Sequence, residues 1–206
     1  MTLATWFAVV TICVLGAMSP GPSLALVLKQ TLTGGRRNGV ITALSHGIGV
    51  GIYAFLSILG LAAIITASPT AFSILQWGGA LYLAWLGMKG LMAKRQPDDE
   101  LPEPPTTKSA ARDGFLIAFF NPKIAVFFLA LFSQVVGTDT SLMAKFGYAA
   151  TALVIDTSWY LIVAWLFSNP KWLTLLRQKA VWFERIFGAI LLGLAGRLVL
   201  GILNGK

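Results

Sequence analysis

Met18-Ser19-Pro20-Gly21-Pro22-Ser23 interrupts an apolar run that extends from Leu3 to Leu28. Proline has no N–H to continue a helix, and it pushes the residue before it out of the α conformation. Gly21 admits backbone angles closed to other residues. A helix therefore breaks here, at the depth of a membrane. Lipid offers no hydrogen bonds to freed backbone groups, so an open backbone at that depth faces protein or a wet cavity. An interrupted spanning helix is the best pointer in a sequence to a transport site. A kink packed against a neighbour is the simpler alternative. Two prolines around one glycine, with Ser19 and Ser23 beside them, favour the cavity.

The rest of the chain has the composition of a membrane protein. Of its 206 residues 56% are hydrophobic and 12% charged, and mean hydropathy is +0.76. A soluble domain carries about 25% charged residues. The net charge of +8 does not indicate nucleic acid, because the basic residues sit in short connections between apolar runs and form no continuous face. The single cysteine, Cys13, cannot form an internal disulfide and reads as a small apolar filler. The N-terminus lacks the basic region and cleavage site of a removable signal peptide.

A spanning helix needs ~20 mostly apolar residues, and six segments qualify: 3–28, 39–66, 71–92, 114–136, 146–168 and 183–203. The expected fold is thus an all-α integral membrane protein of six transmembrane helices in one domain. Helices one and four are interrupted, at Pro20-Gly21-Pro22 and Asn121-Pro122. The connections carry turn and charge signals: Thr33 to Asn38, Ser68-Pro69, 94–113, Gly137-Thr138-Asp139, and Asn169 to Glu184. The stretch 94–113 is polar, with an acidic, proline-rich core at 96–105, and reads as a flexible cytoplasmic linker.

Lys and Arg set the orientation. They collect in the first connection (Lys29, Arg36, Arg37), the third (Lys89, Lys94, Arg95, Lys108, Arg112) and the fifth (Lys171, Arg177, Lys179, Arg185). The other side holds Lys145, Lys206 and a snorkelling Arg197. Connections one, three and five are placed in the cytoplasm and both termini in the periplasm. Three helices on each side of the linker then run in opposite senses, which permits an inverted 3+3 repeat. Inversion maps the first break onto Ser133-Gln134 rather than onto Asn121-Pro122, so Gln134 joins the candidate substrate contacts. The two proline breaks instead lie at similar depth, where they can face one another. Gly47, Gly49, Gly51, Gly78, Gly79, Gly188, Gly193 and Gly196 read as close-packing positions whose small faces also allow a homodimer. Trp77, Trp85, Trp172 and Trp182 read as interfacial anchors.

Asp156, in the middle of helix five, is the sharpest chemical signal. A carboxylate at a helix centre costs about 2.5–3.5 kcal/mol on insertion scales, faces the bundle interior, and marks an ion or substrate path. Burial disfavours its ionised form, which suits it to exchanging a proton. The structural alternative is an ion pair with a buried cation such as Lys123. His46, two turns into helix two, titrates near physiological pH and is a second candidate for proton coupling; an interhelical hydrogen bond is its plain alternative. In Asn121-Pro122-Lys123, proline suits a first helical turn and asparagine its cap. The free N–H groups and positive end of such a helix hold a carboxylate equally well. The candidate substrate contacts are Ser19, Pro20, Gly21, Pro22, Ser23, Asn121, Pro122, Lys123, Gln134 and Asp156.

The absences narrow the class. There is no P-loop for ATP hydrolysis, no Gly-x-Ser-x-Gly nucleophile motif for an intramembrane hydrolase, and one histidine with one cysteine does not make a zinc site. No cofactor is expected. Aquaporin-type channels use paired Asn-Pro-Ala loops, and Asn121-Pro122-Lys123 puts a cation where such a pore needs a small residue.

In order and spacing these motifs resemble the lysine exporter superfamily, in particular its homoserine/threonine-resistance branch. The matching residues are Met18 to Pro22, Gly34-Gly35-Arg36-Arg37-Asn38-Gly39, Gly78 to Gly87, Gly114-Phe115 with Asn121-Pro122-Lys123, Asp156, and Phe187-Gly188-Ala189 to Gly196-Arg197-Leu198. The branch often ends its fourth helix in Phe-Leu-Pro-Gln-Phe; here Phe132-Ser133-Gln134-Val135 lacks that proline. His46 is not part of the pattern. The resemblance implies a bacterial inner-membrane exporter, not an enzyme, whose partners are an amino acid, protons and the lipid bilayer. A neutral amino acid such as threonine, homoserine or a leucine-like substrate suits one central carboxylate among several cations. A basic amino-acid exporter and an uncoupled channel are the alternatives.

Overall fold

A computed structural model describes residues 3–19, 21–93, 107–137 and 139–204. Among them the chain forms seven helices and no strand: α1 (Leu3–Ala17), α2 (Pro22–Ala67), α3 (Pro69–Leu91), α4 (Thr107–Phe119), α5 (Pro122–Phe132), α6 (Leu142–Leu166) and α7 (Pro170–Leu203).

Proline sets most of the starts. Pro22, Pro69, Pro122 and Pro170 each occupy the first turn of a helix, where a missing N–H costs nothing. Short polar side chains close three of these ends and that of α6. Ser68 accepts from the Ala71 N–H at 3.2 Å, Asn121 from Lys123 N–H at 3.0 Å, Ser141 from Ala144 N–H at 3.2 Å and Asn169 from Lys171 N–H at 3.0 Å. Each bond satisfies a backbone donor that has no partner within the helix.

The first break falls where the Pro-Gly-Pro stretch requires it. α1 stops at Ala17, Ser19 N–H bonds back to Gly16 O at 3.2 Å, and the helix resumes at Pro22. Pro20 itself lies outside the described residues. The second break separates α4 from α5 at Asn121 and bends their axes by 47°.

The 46 residues of α2 are a hairpin rather than one rod. Gly35 has φ 77° and ψ 172°, a left-handed backbone that glycine adopts freely. The arms 22–34 and 36–67 turn back on each other there. His46 Nε2 lies 2.8 Å from Ser23 Oγ, whereas 23 residues of continuous helix would separate them by ~35 Å. The long arm packs against α4 and α6, α3 against α7, and α1 against α6. Glycines set the close approaches. A Cβ at Gly51 would press on Leu153, one at Gly49 on Ala118 and Phe115, and one at Gly87 would sit 2.7 Å from Gly188 O.

The main apolar core lies among α1, the long arm of α2, α5 and α6, around Val9, Val50, Ile58, Leu131, Phe132 and Tyr148. A second joins α3, α5 and α7 around Leu83, Ala130, Leu191 and Leu198. A third, around Val27, Tyr160 and Val163, ties the short arm of α2 to α6. Polar residues gather between them.

Among the described residues three helices are long and apolar enough to cross a membrane, within α2, α6 and α7, and α4 with α5 make a fourth if the bent pair is one span. Several expected boundaries are corrected. The connection at 33–38 is helical except at Gly35, because one left-handed glycine reverses the chain without a loop. The linker read over 94–113 is helical from Thr107; Ala110 is fully buried and its carbonyl accepts from Thr42 Oγ1 at 3.3 Å, so α2 holds this stretch in place. Residues 94–106 lie outside the described residues. The connection from Asn169 to Glu184 is the first half of α7, opened by the Asn169 cap. Helix four ends at Phe132 rather than Val136. Gly78, Gly193 and Gly196, read as packing positions, meet no atom within 4 Å of where a Cβ would stand.

Candidate functional site

The two helix breaks meet. Asn121, which caps α5, donates from Nδ2 to Ser23 Oγ in the first turn of α2 at 3.3 Å. The orientation of its amide follows from the cap: Oδ1 is committed to the Lys123 N–H, so Nδ2 faces Ser23. Ser23 Oγ also lies 2.8 Å from His46 Nε2, and His46 Nδ1 lies 2.7 Å from Asp156 Oδ2. A continuous polar chain thus runs Asp156–His46–Ser23–Asn121 across α6, both arms of α2, and α5. All four residues are buried, His46 completely.

This chain forms one wall of a cavity of about 50 Å³, enough for a few waters. Ser19, Gly21, Pro22, Ser23, His46, Asn121, Lys123 and Asp156 all line it. The remaining walls are mainly apolar, from Val50, Leu83, Ile124, Phe127, Phe128 and Leu191. Lys123 reaches in from the first turn of α5, hydrogen-bonds Ser19 Oγ, and stands 4.7 Å from the centre of the Phe187 ring. Glu184 on α7 also acts on it electrostatically. A Cβ on Gly21 would lie 3.1 Å from Lys123 Nζ, so the glycine leaves room for the ammonium beside the first break. The cavity therefore presents a carboxylate, an ammonium and the starts of two helices, whose N–H groups favour anions.

The sequence-level expectations are brought together unevenly. The serine-flanked break, Asn121, Lys123, His46 and Asp156 share this cavity. Pro122 shapes the turn but is not among its lining residues. Gln134 is away from it: α5 has ended, and the side chain donates to Ala130 O at 3.2 Å. The structural alternative for Asp156 is corrected, because its partner is His46 and not Lys123. Sequence reasoning missed Tyr160 and Phe187. Tyr160 stacks edge-on against His46, with centroids 4.9 Å apart; its position one helical turn beyond Asp156 was the available signal. Phe187 lies on another helix and carries no such sign.

A profile described as LysE type translocator matches residues 14–201. The chain belongs to the LysE family. It is therefore a membrane translocator and not an enzyme. Relatives within the LysE family span nearly the full length. The chain is 28% identical to the threonine efflux protein of Escherichia coli K12 over 203 residues, 96% of this chain and 98% of that one. It is 30% identical to the leucine efflux protein of Enterobacter sp. strain 638, with 87% of each covered. It is 28% identical to the homoserine/homoserine lactone efflux protein of Salmonella typhimurium LT2, with 93% of this chain and 97% of that one covered. No solved structure matches the chain.

Proposed function

We propose that the protein exports a neutral amino acid across the bacterial inner membrane in exchange for protons. The observation that carries this reading is the cavity lined by Asp156 and Lys123 at the junction of two broken helices. An amino acid is a zwitterion, and opposite charges in one largely apolar cavity match it. The substrate ammonium meets Asp156; its carboxylate meets Lys123 and the helix starts at Pro22 and Asn121. A second cation, on a lysine or arginine side chain, would face Lys123 without a further carboxylate among the lining residues. The efflux relatives named for threonine, leucine and homoserine support the same substrate class.

The reading takes the chain as six spans. α1 with residues 22–34 makes the first, residues 36–67 the second, α3 the third, α4 with α5 the fourth, and α6 and α7 the last two. The Lys and Arg bias puts both termini in the periplasm. Three spans on each side of the 94–106 stretch then run in opposite senses, as in an inverted repeat. A proton arriving from outside neutralises the Asp156–His46 pair and releases the substrate ammonium.

The test is substrate-dependent proton flux in proteoliposomes across a panel of amino acids. The expected result is saturable flux of threonine, homoserine or leucine, with protons moving the other way and sensitivity to uncoupler. Downhill passage without proton movement would replace this reading with that of a channel, and preference for lysine would overturn the assigned substrate class.

A further inference from the structure

We propose that Ser23 is a polarity switch through which the proton and the substrate ammonium exclude one another. The inference rests on the amino-acid export reading above and deepens it.

Hydrogen counting along the chain leads to it. A serine oxygen has one hydrogen to donate and two lone pairs. One lone pair of Ser23 is taken by Asn121 Nδ2, whose orientation the α5 cap fixes. The rest depends on the protons held by His46 and Asp156. When the pair carries no extra proton, Asp156 is an acceptor only, so the one hydrogen of the imidazole sits on Nδ1 and points at Oδ2, 2.7 Å away. Nε2 is then bare, and Ser23 must donate its hydrogen to it across 2.8 Å. The second lone pair of Ser23 is left to accept, from the Tyr160 hydroxyl beside it or from a group in the cavity.

One added proton reverses this. If it resides on the imidazole, both ring nitrogens carry hydrogen. If it resides on Oδ2 of Asp156, that oxygen donates to Nδ1 and the imidazole hydrogen moves to Nε2. Either way Nε2 becomes a donor to Ser23. Both lone pairs of Ser23 are now occupied, and its own hydrogen turns away from His46. An ammonium brings only hydrogens, so it is accepted in the first state and opposed in the second. The Tyr160 hydroxyl neighbours Ser23. It passes the reversal on: when Tyr160 donates to Ser23 its lone pairs face the cavity, and when Ser23 donates to Tyr160 the phenol hydrogen turns outward.

The charged and titratable groups around His46 are consistent with a two-state pair. α6 supplies Asp156 and Tyr160, α5 supplies Lys123, and α1 supplies Cys13, all on the cavity. Glu184 on α7 acts on Lys123. From α4, Arg112 and Asp113 pair with each other at 3.1 Å. α3 contributes Leu83 and Leu86 to the cavity, neither of them titratable. Asp156 is thus the group bonded directly to the imidazole. The device explains why proton and substrate are exchanged rather than carried together.

The experiment is calorimetry on the purified full chain with L-threonine, L-homoserine and L-leucine, in buffers of different ionisation enthalpy, from pH 5 to 9. Wild type is expected to release close to one proton per amino acid bound at the acid end, with the dissociation constant rising as pH falls. In Ser23→Ala the alkaline affinity should fall about ten- to a hundredfold, the loss of one charge-assisted hydrogen bond. The acid affinity should move much less, so the acid-to-alkaline ratio of constants collapses by that factor. Ser23→Thr, which keeps the hydroxyl, should restore the ratio. An unchanged ratio in Ser23→Ala, or equal weakening at both ends, overturns the switch while leaving the export reading intact. If Ser23→Ala does not fold, wild-type proton release decides: binding without release overturns the switch. Failure of wild type to bind any of the three amino acids defeats the export reading itself.

Discussion

His46 Nδ1 stands 2.7 Å from Asp156 Oδ2, although 110 residues separate them in the chain. The pair is buried, with the histidine side chain fully covered, and Ser23 takes the other ring nitrogen. A buried carboxylate held by a single imidazole can change its charge without a lysine or arginine to fix it. In the proposed exchange the pair, and not Asp156 alone, is the unit that would take up the proton.

Asp156→Asn keeps the shape and removes the charge. Uphill, proton-driven efflux from proteoliposomes should fall at least tenfold, since an amide offers the substrate ammonium no charge and cannot take up a proton. Wild-type coupled efflux in this variant would remove Asp156 from the mechanism. His46→Gln retains a donor toward Asp156 but cannot take up a proton, and it should leave amino-acid exchange measurable while abolishing its dependence on the pH gradient.

Asn121 has two separable roles. Its Oδ1 caps α5 and its Nδ2 reaches Ser23. Asn121→Ser preserves a cap acceptor and removes the amide donor to Ser23, so thermal stability should stay close to wild type while substrate affinity falls severalfold. Asn121→Ala loses both, and its unfolding free energy in detergent should drop by a further ~1 kcal/mol, the usual value of such a cap. Equal stability losses in the two variants would mean that capping is not what Asn121 contributes.

Gly35 has a left-handed backbone and nothing within 4 Å of where its Cβ would stand. A substitution there meets only backbone strain. Gly35→Val and Gly35→Asn should each destabilise by about 1–3 kcal/mol, since φ 77° with ψ 172° is a conformation essentially confined to glycine. Chemical denaturation in mild detergent measures the loss. A wild-type midpoint in both would show that the reversal at Gly35 relaxes on substitution.

Gly87 and Gly188 hold α3 against α7, and a Cβ on either would press on the backbone of the other helix. Gly87→Ala should cost about 1–3 kcal/mol through overpacking and lower the melting temperature. Gly78→Ala, one face away and with open space, is the control and should melt within a degree or two of wild type. A control that melts as early as Gly87→Ala would indicate a general intolerance of α3 to substitution.

Much of the site was legible in the chain because its signals are local. Pro-Gly-Pro must stop a helix wherever it occurs, Asn-Pro must start one, and a carboxylate in an apolar run must turn inward. Their meeting in one cavity follows from burial, since none of these groups is stable against lipid. The misread boundaries had a local cause too. The stretches 107–113 and 170–183 are too polar to pass as spanning helix, yet they continue helices past the apolar run. Polarity reported the surroundings of these residues, not their backbone. Gln134 was assigned by an assumed symmetry, and its actual partner is the carbonyl of Ala130 at the end of its own helix.

From its sequence alone this protein was determined to be a helical membrane protein with two interrupted segments and a buried acid, because helix-breaking and desolvation act on each residue where it stands. Only the tertiary structure decided which groups complete one another. The reversal at Gly35 returns His46 to Ser23, and the packing of α2 on α6 sets the same imidazole against Asp156 while Lys123 turns to Ser19 and Phe187. Hydrogen-bond partners are chosen by distances of about 3 Å, and no spacing along a chain encodes a distance between helices.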